Sequence, residues 1–168
     1  MIKKLLLYGL LAVGYLVSAK GADETKAISY FNAKELSVSL NSGYVVDTDK
    51  GFQDNYAFNI SAGVGYYFTK YLGATVNLPF YETKGVSLHE IDAGLVARLP
   101  IGRFAPYVGA SALADWTTDN QWKYIGRAGL EFRINPKVGL FSEWQYRDNN
   151  LNFDQGEHKL VGGVKIVF

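Results

Sequence analysis

A chain of 168 residues has room for one domain, and its 15% aromatic content, 18 glycines and 4 prolines suit strands and tight turns better than helices. The formal charge of +1 includes Lys3 and Lys4; without them the 17 basic residues fall to 15 against 16 acidic ones, which excludes the basic surplus that nucleic-acid binding needs. Cysteine is absent, so disulfides and thiolate chemistry are excluded as well.

Residues 1–19 have the three parts of a secretory signal peptide. Lys3 and Lys4 give the positive start, residues 5–17 the apolar run, and Ser18 and Ala19 the small-residue exit. The run is shorter than the about 20 residues of a membrane-spanning helix. Cleavage after Ala19 is therefore expected, with a cut after Gly21 as the alternative. Residues 20–34 read as an irregular, polar periplasmic lead-in, with Tyr30 and Phe31 its only large apolar side chains.

From there to the end the sequence alternates with period two, the strand signal. The first segment sets Leu36, Val38 and Leu40 against Ser37, Ser39 and Asn41. The second sets Tyr56, Phe58, Ile60, Ala62, Val64, Tyr66 and Phe68 against Asn59, Ser61, Gly63 and Gly65. The third sets Leu72, Ala74, Val76 and Leu78 against Gly73, Thr75 and Asn77. In the fourth, Ile91, Ala93, Leu95, Ala97 and Leu99 oppose Glu90, Asp92, Gly94 and Arg98. The fifth opposes Val108, Ala110, Ala112, Ala114 and Trp116 to Tyr107, Gly109, Ser111 and Asp115. The sixth opposes Trp122, Tyr124, Ala128, Leu130 and Phe132 to Lys123, Arg127, Gly129, Glu131 and Arg133. Val138, Leu140, Trp144 and Tyr146 oppose Glu143, Gln145 and Arg147 in the seventh. The eighth has Leu160, Val164, Ile166 and Phe168 against Lys159, Gly163 and Lys165.

Short connections (69–70, 100–104, 134–137) alternate with mostly longer, more polar ones (45–54, 81–86, 117–121, 148–157), the pattern of an up-and-down barrel across an outer membrane. The four prolines fall at strand ends or turns, where no ladder donor is lost. The charges decide which face meets lipid. Asp92, Arg98, Asp115, Arg127, Glu131, Arg133, Glu143, Arg147, Lys159 and Lys165, with Glu35, share the polar face in both signs, as expected of an ion-paired lumen. The apolar face ends in aromatics at both rims: Tyr44, Tyr56, Trp116, Trp122, Tyr124, Trp144 and Tyr146 at the long-loop end, and Tyr66, Phe68, Phe132 and Phe168 at the turn end. Such belts match the interfacial girdles of membrane barrels. The expected fold is an all-β, eight-stranded antiparallel up-and-down transmembrane β-barrel over residues 35–168. The rival is a soluble lipocalin-type barrel with the faces exchanged.

The last segment, Leu160-Val161-Gly162-Gly163-Val164-Lys165-Ile166-Val167-Phe168, resembles the C-terminal assembly signal of outer-membrane proteins through Gly163, Ile166 and Phe168, with Val161 where a polar residue is usual. Ala62-Gly63-Val64-Gly65-Tyr66-Tyr67-Phe68 and Ala105-Pro106-Tyr107-Val108-Gly109-Ala110 are of a kind common in the same barrels. On these stretches residues 36–168 resemble the small eight-stranded outer-membrane family of the OmpA transmembrane-domain and OmpX/Ail type. The resemblance implies the outer membrane of a Gram-negative-type bacterium, contact with its lipid and lipopolysaccharide, and insertion by the barrel-assembly machinery. A monomer with no nucleic-acid partner is expected.

Gly129-Leu130-Glu131-Phe132-Arg133 also resembles the lipid A 3-O-deacylase barrels, but Tyr146-Arg147-Asp148-Asn149-Asn150 lacks the His and Ser those enzymes carry after the Tyr. The two histidines, His89 and His158, open strands on opposite sides of the barrel. No catalytic residue, cofactor or metal site is expected. Eight strands leave an interior that side chains fill, and Tyr67, Tyr107 and Phe141 point into it. The expected function is structural or surface interaction without catalysis. A lipid A-modifying enzyme and a narrow low-conductance channel of the porin kind are the alternatives. Apolar replacement of Arg127 or Glu131 is expected to be tolerated far better than Lys at lipid-facing Ala112, which costs about 2–4 kcal/mol at the bilayer midplane.

Overall fold

A computed structural model of the chain describes residues 29–47, 56–82, 85–86, 90–116, 121–148 and 157–168. The leader, most of the lead-in, His89 and much of the longer connections fall outside them.

The described residues form strands β1 (Glu35–Asp47), β2 (Tyr56–Tyr67), β3 (Leu72–Glu82), β4 (Gly85–Val86), β5 (Glu90–Arg98), β6 (Phe104–Asp115), β7 (Gln121–Asn135), β8 (Val138–Asp148) and β9 (Glu157–Val167), and no helix. Every pairing is antiparallel. The order β2-β1-β9-β8-β7-β6-β5-β3 closes on itself because β2 also pairs with β3. The two-residue β4 pairs with the far end of β3, on the side that β5 takes up further along, so nine strands make eight staves. This is the closed eight-stranded antiparallel barrel that the alternation predicts.

Local chemistry explains the turns. Thr69 Oγ1 accepts from the backbone N–H of Tyr71 and Leu72 at 3.1 and 2.9 Å, fixing the β2–β3 corner. Gly102 supplies the left-handed φ of +60° between β5 and β6. Asn135 Oδ1 accepts from the N–H of Lys137 and Val138, making an Asx turn into β8. Between β2 and β3 the register slips where Ile60 faces Tyr81 and Ser61 faces Pro79, leaving Phe80 as the extra residue of a bulge beside a proline that cannot donate.

The alternation then sorts the faces. Leu95 is 65% exposed on the outer wall, whereas Glu131 and Arg133 are wholly buried within. Among the described residues with side chains placed, the outward positions of the strands carry no Asp, Glu, Lys or Arg. Apolar residues cover the outside and the charges fill the middle, the reverse of the soluble alternative.

Candidate functional site

The lumen is the chemically dense part of the molecule, and most of its charged groups are paired in two tiers. At the turn end, Glu35 enters from the start of β1. Its Oε2 accepts from Arg98 Nη2 at 2.8 Å and Arg133 Nη2 at 3.2 Å, while Oε1 accepts from the Asn32 backbone N–H at 2.6 Å. Glu131 sits beside them, paired through Oε1 with Arg133 Nε and through Oε2 with Lys165 Nζ at 2.6 Å. Two carboxylates are thus shared by three cations. Buried charges are tolerable when paired and hydrogen-bonded in this way. Arg98 Nε also donates to Lys70 O, and Arg133 Nη1 to Pro136 O, so the network ties the turns together.

The lead-in closes this end. Phe31 is only 3% exposed, with the Arg98 guanidinium 4.9 Å and the Arg133 guanidinium 4.7 Å from its ring centre. Arg98 lies 3.5 Å over Tyr67 as well, a cation held by aromatic faces in a desolvated place. The chain around Phe31 is anchored: Asn32 O accepts from Arg98, Tyr30 Oη accepts from Arg103 at 2.9 Å, and Lys34 N–H donates to Tyr67 O at 2.6 Å. Lys34 adopts a left-handed φ of 62°, which swings the chain from the mouth into β1. Phe31 is therefore the stopper, carried on a segment whose other residues stay exposed or half-buried. Over residues 29–34, the described part of the lead-in, there is no regular strand, and Phe31 is packed inside.

Midway up lies a cavity of about 40 Å³ lined by Asn41, Thr75, Tyr107, Arg127, Phe141 and Glu143, among others. Asn41 Oδ1, Thr75 Oγ1 and Arg127 Nε are buried there without a hydrogen-bond partner in the protein. A polar void of this size suits a few waters and no larger solute.

The second tier lies above. Arg127 Nη2 donates to Asp92 Oδ1 at 2.7 Å and to Ser111 Oγ at 2.6 Å, and Asn77 Nδ2 donates to the same Asp92 oxygen. Glu143 accepts from Gln145 and lies 3.9 Å from Arg127 Nη1. Nearer the loops, Arg147 meets both oxygens of Glu90 at 3.2 Å and approaches Glu157 at 3.7 Å, while Lys123 pairs with Asp115 at 3.7 Å. Lys159 is buried in the same region, and no described carboxylate lies within salt-bridge distance of it.

Most of the expected lumen set is thus brought together inside the barrel, Lys159 standing apart from the pairs. Glu90 joins the network, and Glu35 is one of its hubs. The missed elements are the stopper and an apolar lining: Val96, Leu113, Ile125, Val161 and Val167 are all buried. Alternation could not show these residues, because their outward neighbours are apolar too.

On the outer wall Tyr44, Tyr66, Phe68, Trp116, Trp122, Tyr124, Trp144 and Phe168 are exposed as expected of a girdle, and Phe104 joins the turn-end set. Phe132 is half-buried against Phe104 at 4.9 Å. The side chain of Tyr56 lies outside the described residues. Tyr146 departs from the expectation: only 7% exposed, it packs against His158 at 5.2 Å and Trp144 at 6.3 Å. Of the assembly-signal residues, Ile166 and Phe168 face outward. Gly163 lets β9 approach its neighbours closely, since a Cβ there would stand 2.5 Å from Leu40 O and 2.8 Å from the Phe141 ring.

His158 is stacked on Trp144 at 5.5 Å, on the outside of the wall and away from the lumen carboxylates. Among the described residues no group of three His, Cys, Asp or Glu could hold a metal ion.

No protein-family model matches the chain, and no curated protein sequence matches it. Solved structures do. A de novo designed transmembrane β-barrel aligns at 22% identity and TM-score 0.56, covering 81% of this chain and 97% of the other. Neisserial surface protein A aligns at 15% identity and TM-score 0.56, covering 85% of this chain and 100% of the other. The N-terminal barrel of Pseudomonas aeruginosa OprF aligns at 14% identity and TM-score 0.53, covering 79% and 97%. The fold is that of the small outer-membrane β-barrels. It is the architecture that the OmpA- and OmpX/Ail-type resemblance implies, and the likeness speaks to fold alone.

Proposed function

We propose that the chain is an integral outer-membrane β-barrel that acts through its body and loops, without catalysis. One observation carries this: the described wall is apolar outside and ionic inside. In water such a surface would expose a contiguous apolar band far beyond what a soluble monomer shows; in lipid it is the stable arrangement. The burial of Phe31 in the turn-end mouth and the ion pairs around it support a closed body over a channel. The position of His158, stacked among rings on the outer wall, supports a non-catalytic role.

The reading includes a monomer in the outer membrane of a Gram-negative-type cell, exported through a cleaved signal, inserted by the assembly machinery and bathed in lipid and lipopolysaccharide. The test is direct. The purified protein should need detergent and should migrate differently on a gel before and after boiling, because a folded barrel resists unfolding by the detergent. A protein monodisperse in plain buffer would refute the membrane reading. Single-channel steps in planar bilayers would favour the narrow channel instead, and a change in lipid A mass on expression would favour the enzyme.

A further inference from the structure

The turn end of the barrel carries a ring of exposed cations. Lys34 stands at the entry to β1, Lys70 between β2 and β3, Arg103 between β5 and β6, and Lys137 between β7 and β8, all exposed. In the closed order of strands this places one cation on each successive pair of staves, β9–β1, β2–β3, β5–β6 and β7–β8. Among the described residues no Asp or Glu side chain is exposed at this end. Glu35 and Glu131 are turned inward and buried. The connections at the other end, by contrast, are predominantly acidic in sequence.

Each cation also has an apolar neighbour on the outer wall. Leu36 follows Lys34, Phe68 and Leu72 flank Lys70, Ile101 and Phe104 flank Arg103, and Ile134 precedes Lys137; all six are exposed. Side chains of this kind belong in hydrocarbon and fix the depth of the turns. The cations one to three residues away are then held where hydrocarbon gives way to headgroups. Lys70 packs 5.0 Å over the Tyr71 ring and Arg103 5.1 Å over Tyr30, which keeps both at the rim.

We infer that this ring binds the phosphates of anionic phospholipids in the leaflet at the turn end. The inference rests on the membrane-barrel reading above. A protein partner would call for a patch on one side, whereas a belt spread around the circumference matches a shell of lipid. Basic groups at a membrane surface attract anionic lipid, and the attraction is screened by salt.

The experiment reconstitutes the full chain in phosphatidylcholine vesicles with spin-labelled phosphatidylglycerol or phosphatidylcholine as the probe. Enrichment of the anionic over the zwitterionic probe in the motionally restricted shell should be on the order of fivefold at each site, and it should fall as salt is raised. Combining Lys34→Gln, Lys70→Gln, Arg103→Gln and Lys137→Gln should bring the ratio to about one, while Lys70→Arg with Lys137→Arg should preserve it. Equal shells for both probes in the wild type, or selectivity unchanged in the four-fold variant, overturn the inference. So does displacement of the anionic probe by soluble glycerol phosphate, which would make the ligand a free phosphate. A protein that inserts but shows no selectivity fails here alone; one that does not insert fails the membrane reading itself.

Discussion

Glu131→Gln tests the lumen most directly. The side chain is wholly buried and bridges Arg133 and Lys165. Gln keeps the shape and removes the charge, so any loss reports on the ion pairs. Arg133 retains Glu35 at 3.2 Å and Pro136 O at 3.0 Å. Lys165 has no second carboxylate within salt-bridge distance among the described residues. Breaking a buried pair from one side costs about 3–5 kcal/mol, and with Arg133 still held the lower end, about 3 kcal/mol, is expected. Denaturant unfolding in vesicles measures it. Lys165→Met in the same protein removes the stranded cation, so the double variant should cost about 1–3 kcal/mol less than the two single changes added together. The shared pairing thus raises the expected cost of Glu131→Gln to that of a lipid-facing lysine, above what the sequence leads one to expect for an apolar replacement at the same position. A Glu131→Gln protein within about 1 kcal/mol of wild type, or strictly additive effects, would refute the shared-carboxylate account.

Phe31→Ala should destabilise by about 3 kcal/mol, at the low end for a buried Phe because the mouth can admit water; hydrogen exchange should rise first at the amides of Lys34 and Arg98. Ala110→Lys, midway along β6 on the outer wall, should cost about 2–4 kcal/mol, read as a shifted unfolding midpoint in vesicles. Gly94→Ala should lose about 1–3 kcal/mol, because its Cβ would meet the Ala110 carbonyl and the Ser111 backbone, and a normal thermal melt would contradict that contact.

What was legible in the sequence follows from period. Leu36, Val38 and Leu40 against Ser37 and Asn41 could be assigned to faces because a strand has only two, and one residue's step exchanges them. The same logic fails at Leu113 and Ile125, inward apolar residues flanked by outward ones. Partners were less legible than faces. Glu35 meets Arg98 across 63 positions of sequence, and nothing local announces it; the pairing emerges only when register and closure bring β1 and β5 to the same depth of one lumen. Phe31 was visible as an apolar residue in a polar stretch, which was the signal, but its burial depends on two arginines from β5 and β7.

The ring closes where β1 meets β9, through a register running from Ser37 opposite Val167 to Asp47 opposite Glu157. Before that seam forms, β1 and β9 each offer a bare rank of backbone donors and acceptors above a greasy flank, an invitation to any passing strand. Contacts so distant in sequence also form slowly. The polypeptide is therefore most vulnerable to sticking while that last seam is still open, with two borders of backbone left for a stranger to zip onto.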